Sequence, residues 1–250
     1  MFNSGPKPSF ATVLVGHSKD RFVVHENLLT HYSEFFRAAL TGSFKEAEDK
    51  IVKLGNTHGF TFECFVHWLY TQRFPDASKG DDEELVDGWG SSDDPRKLID
   101  SLIDMYIFGD RCMVPQLQRV ALDHLYRHIQ VHTTPVPEED DIYNAFGHLR
   151  SDNPLCRLLV DVKLYYDHCC DGSSNPYSRD EKAEWPMNGE PDYPSEYLLA
   201  FARRATEIYG GIRWGEKNLN DFDLDLCNYH DHKTDEEKET CKQDQAKYEE

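Results

Sequence analysis

Basic residues are in short supply. Against 46 Asp and Glu stand 27 Lys and Arg, a formal net charge of −19. Phosphate contacts need clustered cations, so this balance argues against nucleic-acid binding and against anionic membrane surfaces. Long apolar runs are missing too, and no stretch has the length of a membrane-spanning helix. The first residues lack the basic-then-apolar layout of a secretory signal. Catalytic signatures are equally absent: there is no nucleophile elbow, Walker loop or H-E-x-x-H helix. Gly88-Trp89-Gly90 sits among acids, the wrong setting for a phosphate cradle. Asp221-Phe222-Asp223-Leu224-Asp225 imitates the start of an EF-hand, but Leu226 replaces the turn glycine and His232 stands where the bidentate Glu belongs. Together these absences set the expectation of a protein that is not an enzyme.

What is present fits a polar-surfaced globule. With 250 residues and 39% hydrophobic content the chain has room for one domain, a second module and an ample core. Seven cysteines, an odd number scattered without a signal peptide, point to a reducing compartment, cytoplasmic or nuclear.

The chain is organised around residues 22–70. Thr12 to Val15 and Arg21 to Val24 alternate like strands around the polar turn 16–20, and Ile51 to Leu54 reads as a third strand. Leu28, Leu29, Tyr32, Phe35, Phe36, Ala39 and Leu40 recur at three- and four-residue steps, predicting a buried helical pair. Ser33 is placed to cap the second helix and Gly42 to end it. Phe62, Phe65, Val66, Leu69 and Tyr70 put one apolar face on the next helix.

In order and spacing these elements resemble a BTB/POZ domain. The carrying residues are Phe22-Val23-Val24-His25-Glu26, Leu28-Leu29, Ser33-Glu34-Phe35-Phe36, Gly42-Ser43-Phe44-Lys45-Glu46, Ile51-Val52-Lys53-Leu54, Phe62-Glu63-Cys64-Phe65 and Trp68-Leu69-Tyr70-Thr71. Two positions depart. Glu26 replaces the usual Lys, and Ala11 or Thr12 the usual Asp, of a charged pocket found in some transcriptional members. The resemblance implies an α+β, mainly helical fold: a short three-stranded sheet flanked by helices, over residues 10–131 behind a disordered leader at 1–9. A helical extension, 132–250, follows.

Within that frame, 75–95 is rich in Asp, Glu, Gly and Ser and reads as an acidic insertion, a solvated loop. Leu85 and Trp89 are its exceptions. They are candidate partner-binding residues, because aromatics dominate interface hot spots, or they fold back on the domain. Helical periodicity returns over 98–107, is expected to break at Gly109, and resumes at Pro115. A linker is expected at 133–137, then helices at about 138–147, 154–169 and 194–209, with a long Asn/Pro/Gly/Ser-rich loop before the last. This layout resembles single-BTB proteins abundant in filamentous fungi.

Cys227, His230, His232 and Cys241 form one short cluster of residue types that suit tetrahedral zinc. Two readings stand. In one, Asp223 to Cys227 is an extended segment, 236–245 a helix, and the four side chains hold one structural zinc. In the other the tail is solvated, carries no cofactor, and Cys227 merely packs.

For function, the resemblance implies protein–protein adaptor work, specifically presentation of clients to a cullin-3-type ubiquitin ligase. The scaffold-facing surface would lie near residues 58–90 and the client would bind 133–250. Family members that form tight swapped dimers carry an extra strand and helix before the hairpin. With only a short segment before Thr12, a monomer or weak oligomer is expected. The alternative class is a metal-dependent enzyme or redox protein using the Cys/His cluster, though no general base or open-site pattern accompanies it. Channel-type tetramerisation lacks a membrane span.

Overall fold

The computed structural model describes residues 8–90, 95–131, 137–169, 193–213, 224–230, 232 and 234–246. The expected leader (apart from residues 8 and 9), all of the linker but Pro137, the long loop at 170–192 and Asp221 to Asp223 lie outside these. The chain divides into two compact units, 1–125 and 126–250.

In the first unit, β1 (Phe10–Val15) pairs antiparallel with β2 (Asp20–His25) and parallel with β3 (Ile51–Leu54), giving the order β2-β1-β3. Side-chain alternation sends Ala11, Val13, Val15, Val24, Val52 and Leu54 into the core. Gly16 makes the hairpin turn possible: its φ of +70° is a conformation that side-chain-bearing residues resist.

Helices α1 (Glu26–Tyr32) and α2 (Glu34–Thr41) meet at Ser33, as the periodicity predicts. The Ser33 hydroxyl accepts from the Phe36 N–H at 3.0 Å and donates to the Cys112 carbonyl at 2.6 Å, so one buried oxygen caps a helix and ties it to a distant segment. Losing such a cap costs about 0.5–2 kcal/mol, and here a buried carbonyl also loses its donor. Ser33→Ala is therefore expected to cost about 2 kcal/mol, read as a shift of the urea midpoint; an unchanged midpoint would remove the cap from the account.

Leu29, Phe36 and Leu40 are buried, with Leu28, Tyr32 and Phe35 half-buried along the same face. A short helix, α3 (Lys45–Asp49), leads into β3. Then α4 (Gly59–Thr71) buries Phe62, Cys64, Phe65, Trp68 and Leu69. Phe36, Phe62, Phe65 and Phe108 form one aromatic cluster, with the Phe36 and Phe65 rings stacked at 6.3 Å.

Two expectations need correction here. The acidic stretch is no loop: a 3-10 turn at Ala77–Lys79 and α5 (Glu83–Trp89) occupy it. Asp82 caps α5 by accepting from the Glu84 and Leu85 N–H groups, so local acids build this helix as well as solvate it. Gly109 does not break its helix either. Helix α6 (Pro95–Arg111) runs through it, and a side chain there would press within 2.9 Å of Gln118 Cγ on α7 (Pro115–Val131). Glycine is there for close approach.

Before α5, Asp81 accepts from both terminal nitrogens of Arg73 and from the Asp76 N–H, with His67 3.5 Å away. The Arg73 guanidinium holds the Asp81 carboxyl far below the usual range, and burial lowers His67. Both shifts have the same sign for stability. As pH falls through about 6.5 and then about 3.9, the unfolded chain takes the proton first, so stability is lost. Asp81→Asn should lower Tm at pH 7, and its gap to wild type should close as pH falls below about 3.9. A gap independent of pH would contradict this.

The second unit is helical. Among its described residues are α8 (Glu139–His148), α9 (Pro154–Cys169), α10 (Ser195–Arg213), a 3-10 turn at Leu226–Tyr229 and α11 (Asp235–Ala246). Helices α8, α9 and α10 start close to their predicted bounds, and α10 runs on to Arg213. Ile142 and Phe146 of α8, Leu155, Leu158, Leu159 and Val162 of α9, and Tyr197 and Ile208 of α10 make the core. Phe146 and Tyr197 meet edge to face at 5.3 Å.

Candidate functional site

The surface around the start of α4 is concave. The β1–β2 turn, the β3–α4 loop and the first turn of α4 enclose an open cavity of about 800 Å³, with His17, His58, Phe60 and Glu63 on its walls. Local chemistry fixes this shape. Arg111 donates to the Asn56 carbonyl at 3.0 Å and the Thr57 hydroxyl at 2.7 Å, pinning the loop. Phe60 packs over Gly88 of α5, where even a methyl group would come within 2.3 Å of the ring. The surface is held from behind while His58 and Glu63 stay exposed.

Leu85 and Trp89 sit differently from the partner-binding expectation. Both are turned into the unit, with Trp89 only 3% exposed and stacked on Phe74 at a ring distance of 4.6 Å. The fold-back alternative describes them. As folded here they present no anchor to a partner.

In the second unit the tail brings its cluster together. Cys227, His232 and Cys241 each offer a ligand atom within 4.8 Å of the others, and both sulfurs' residues are buried. His230 joins through its Nδ1, which lies 3.1 Å from Cys241 Sγ, and its ring is 5.6 Å from that of His232. These separations, at most 4.8 Å among the three and 3.1 Å for His230 to Cys241, lie to either side of the tetrahedral edge of about 4 Å expected around a bound zinc. The donors, two thiols and two imidazoles, are those zinc prefers. The expected extended segment at Cys227 is instead the 3-10 turn, because the Asp225 carboxylate accepts from the Cys227 N–H at 2.9 Å and closes it. Helix α11 then returns Cys241 to the turn, as its composition predicts.

Sequence reading missed one network here. Asp161, buried in α9, accepts from Arg204 Nε at 2.6 Å and from the Tyr229 hydroxyl at 2.8 Å. Burial and the neighbouring carboxylate push the Tyr229 hydroxyl far above its ordinary pKa, so it stays a donor. The residues are 43 and 68 positions from Asp161, beyond any local signal.

Residues 3–87 match the family model described as the BTB/POZ domain. The sheet order, the paired helices around Ser33 and α4 agree with that match. Residues 3–87 are a BTB/POZ domain. No curated protein matches the chain significantly. The match ends inside α5, whereas the compact unit continues to Leu125.

Within the BTB domain the two departures from the family pattern are structurally settled. Glu26 is bound by Lys50 Nζ at 2.7 Å, and Lys50 also donates to the Leu40 carbonyl at 2.9 Å. Ala11 is fully buried and Thr12 half-buried. The charge at position 26 is thus reversed relative to the family and neutralised inside the domain. Among the described residues no helix is long and apolar enough to cross a membrane.

Proposed function

We propose that this chain is a non-enzymatic adaptor of the cytoplasm or nucleus. Its BTB domain, which runs on through α6 and α7 to about residue 131, docks a cullin-3-type ubiquitin-ligase scaffold, and residues 132–250 hold a client. The BTB/POZ match carries this reading, since that domain is a protein–protein interaction module. The braced concave surface at the start of α4 supports it, for it falls in the region where the family resemblance puts the scaffold contact. Free cysteines at 64, 112, 156, 227 and 241 suit a reducing compartment. Burial pushes the Cys112 thiol up to about 12, far from a reactive thiolate.

The test is a calorimetric titration of the purified chain with the N-terminal half of a cullin-3-type scaffold. A saturable heat is expected, and Glu63→Arg, an exposed change with little effect on stability, should weaken it at least tenfold. Absence of heat, or equal binding by the variant, would refute the assigned surface.

A second reading concerns the tail, where the convergence of Cys227, His232 and Cys241 favours a structural metal. We propose one zinc held by these three, with His230 as the fourth ligand. Its chemistry is mechanical: it would cross-link the 3-10 turn to α11, with no open position for catalysis.

A further inference from the structure

The second unit contains a cavity of about 720 Å³ between α9, α10 and the 226–229 turn, within the size range of pockets that hold ligands. Its charges are unevenly satisfied. Arg204 is taken up by Asp161 and by Glu207, the latter at 3.2 Å. Asp152 on the rim is paired with Arg150 at 2.9 Å. Arg157 of α9 and Arg203 of α10 also line the cavity, both are exposed, and neither guanidinium has an ion-pair partner among the described residues. Against these two cations stands one lining carboxylate, Glu196, that lacks a cation partner among the described residues and takes a hydrogen bond from the Ser195 hydroxyl. In a chain with a net charge of −19, two guanidiniums without ion-pair partners among the described residues, lining one hollow, stand out against the composition.

The walls are otherwise apolar or already committed. Val160, Leu199 and Ala200 offer hydrocarbon, with Leu199 52% exposed. Tyr229 closes one side with its hydroxyl bound to Asp161, so it is a fixed wall. Guanidinium groups bind carboxylates in a two-pronged geometry, and two of them on facing helices select carboxylates separated along a ligand. A compact multiply charged anion suits the hollow less well, because Asp152, Asp161, Glu196 and Glu207 also line it.

We propose that this cavity is the client pocket, and that its occupant is a short acidic peptide segment: two carboxylate side chains on Arg157 and Arg203, with an apolar side chain between them against Val160 and Leu199. This rests on the adaptor reading and names the client by its chemistry.

The probe is a displayed library of random twelve-residue peptides selected against the full chain. Enriched peptides are then synthesised with a fluorophore and titrated by anisotropy. The expected result is enrichment of sequences with two or more Asp or Glu flanking an apolar residue. Arg157→Gln/Arg203→Gln should bind them at least tenfold more weakly with an unchanged melting curve. Arg157→Lys/Arg203→Lys, which keeps the charge and loses the fork, should fall between the two. Affinity should also drop with added salt. The proposal is overturned if nothing is enriched, if neutral apolar peptides win, or if acidic peptides bind the Gln double variant as well as wild type. The same double variant should bind the cullin-3-type scaffold normally. Failure of scaffold binding with intact peptide binding would sink the scaffold assignment and leave the pocket standing.

Discussion

Phe36→Ala is expected to destabilise the BTB unit by about 3–5 kcal/mol, the range for truncating a fully enclosed aromatic. Phe36 has no exposed surface, its ring touches those of Phe35, Phe62 and Phe65, and its own N–H is the group that Ser33 caps. A cavity there opens between α2 and α4, both rigid, so the walls cannot collapse cheaply. Domains are commonly stable by about 5–15 kcal/mol, and the substitution consumes a large part of that. Urea unfolding should show a lower midpoint with an unchanged slope. A cost below about 1 kcal/mol would mean the aromatic cluster does not hold the unit together.

Removing zinc from the tail is expected to have the other large effect. Structural zinc in small frames contributes about 10–16 kcal/mol of apparent binding energy, and the 224–246 segment has little else. Its buried apolar residues are Leu224, Leu226, Cys227, Tyr229 and Cys241. Helix α11 is charged and exposed apart from Cys241 among its described side chains. Purified protein should carry about one zinc per chain by elemental analysis, as a single four-ligand site requires. Chelation should expose the α11 amides to hydrogen exchange, and Cys227→Ser should prevent loading. Cobalt substitution should give the intense visible bands of thiolate ligation. Metal-free protein with the same exchange pattern before and after chelation would leave the tail as a packed Cys pair and nothing more.

Legibility in the sequence followed the range of the interactions. The Ser33 cap and the Gly42 stop act within a few residues, and both were readable. So were the strands, whose alternation is a two-residue signal, though β1 starts two residues earlier and β2 runs one residue further at each end. Helix α5 was obscured because its acids resemble those of a loop. Yet Asp82 capping and the four-residue step from Leu85 to Trp89 were there to be weighed. Gly109 misled because the reason for a glycine in α6 sits on α7, and no rule of local propensity contains that neighbour. At the tail, residue types alone disclosed the Cys/His cluster. They could not show that Asp225 would curl the chain into a 3-10 turn. Arg157 and Arg203 were invisible as a pair, since only the packing of α9 against α10 gives them a common cavity.

The central claim is that the chain links a ligase scaffold to a client, and affinity capture from native extract tests it most directly. Wild-type chain, Glu63→Arg and Arg157→Gln/Arg203→Gln are immobilised in parallel, and recovered proteins are quantified by mass spectrometry. The predicted result is enrichment of ubiquitin-ligase subunits on wild type and on the Arg double variant, with loss on Glu63→Arg, while a separate set of proteins bearing acidic segments is lost only on the Arg double variant. Recovery of no ligase subunit on any of the three would contradict the account.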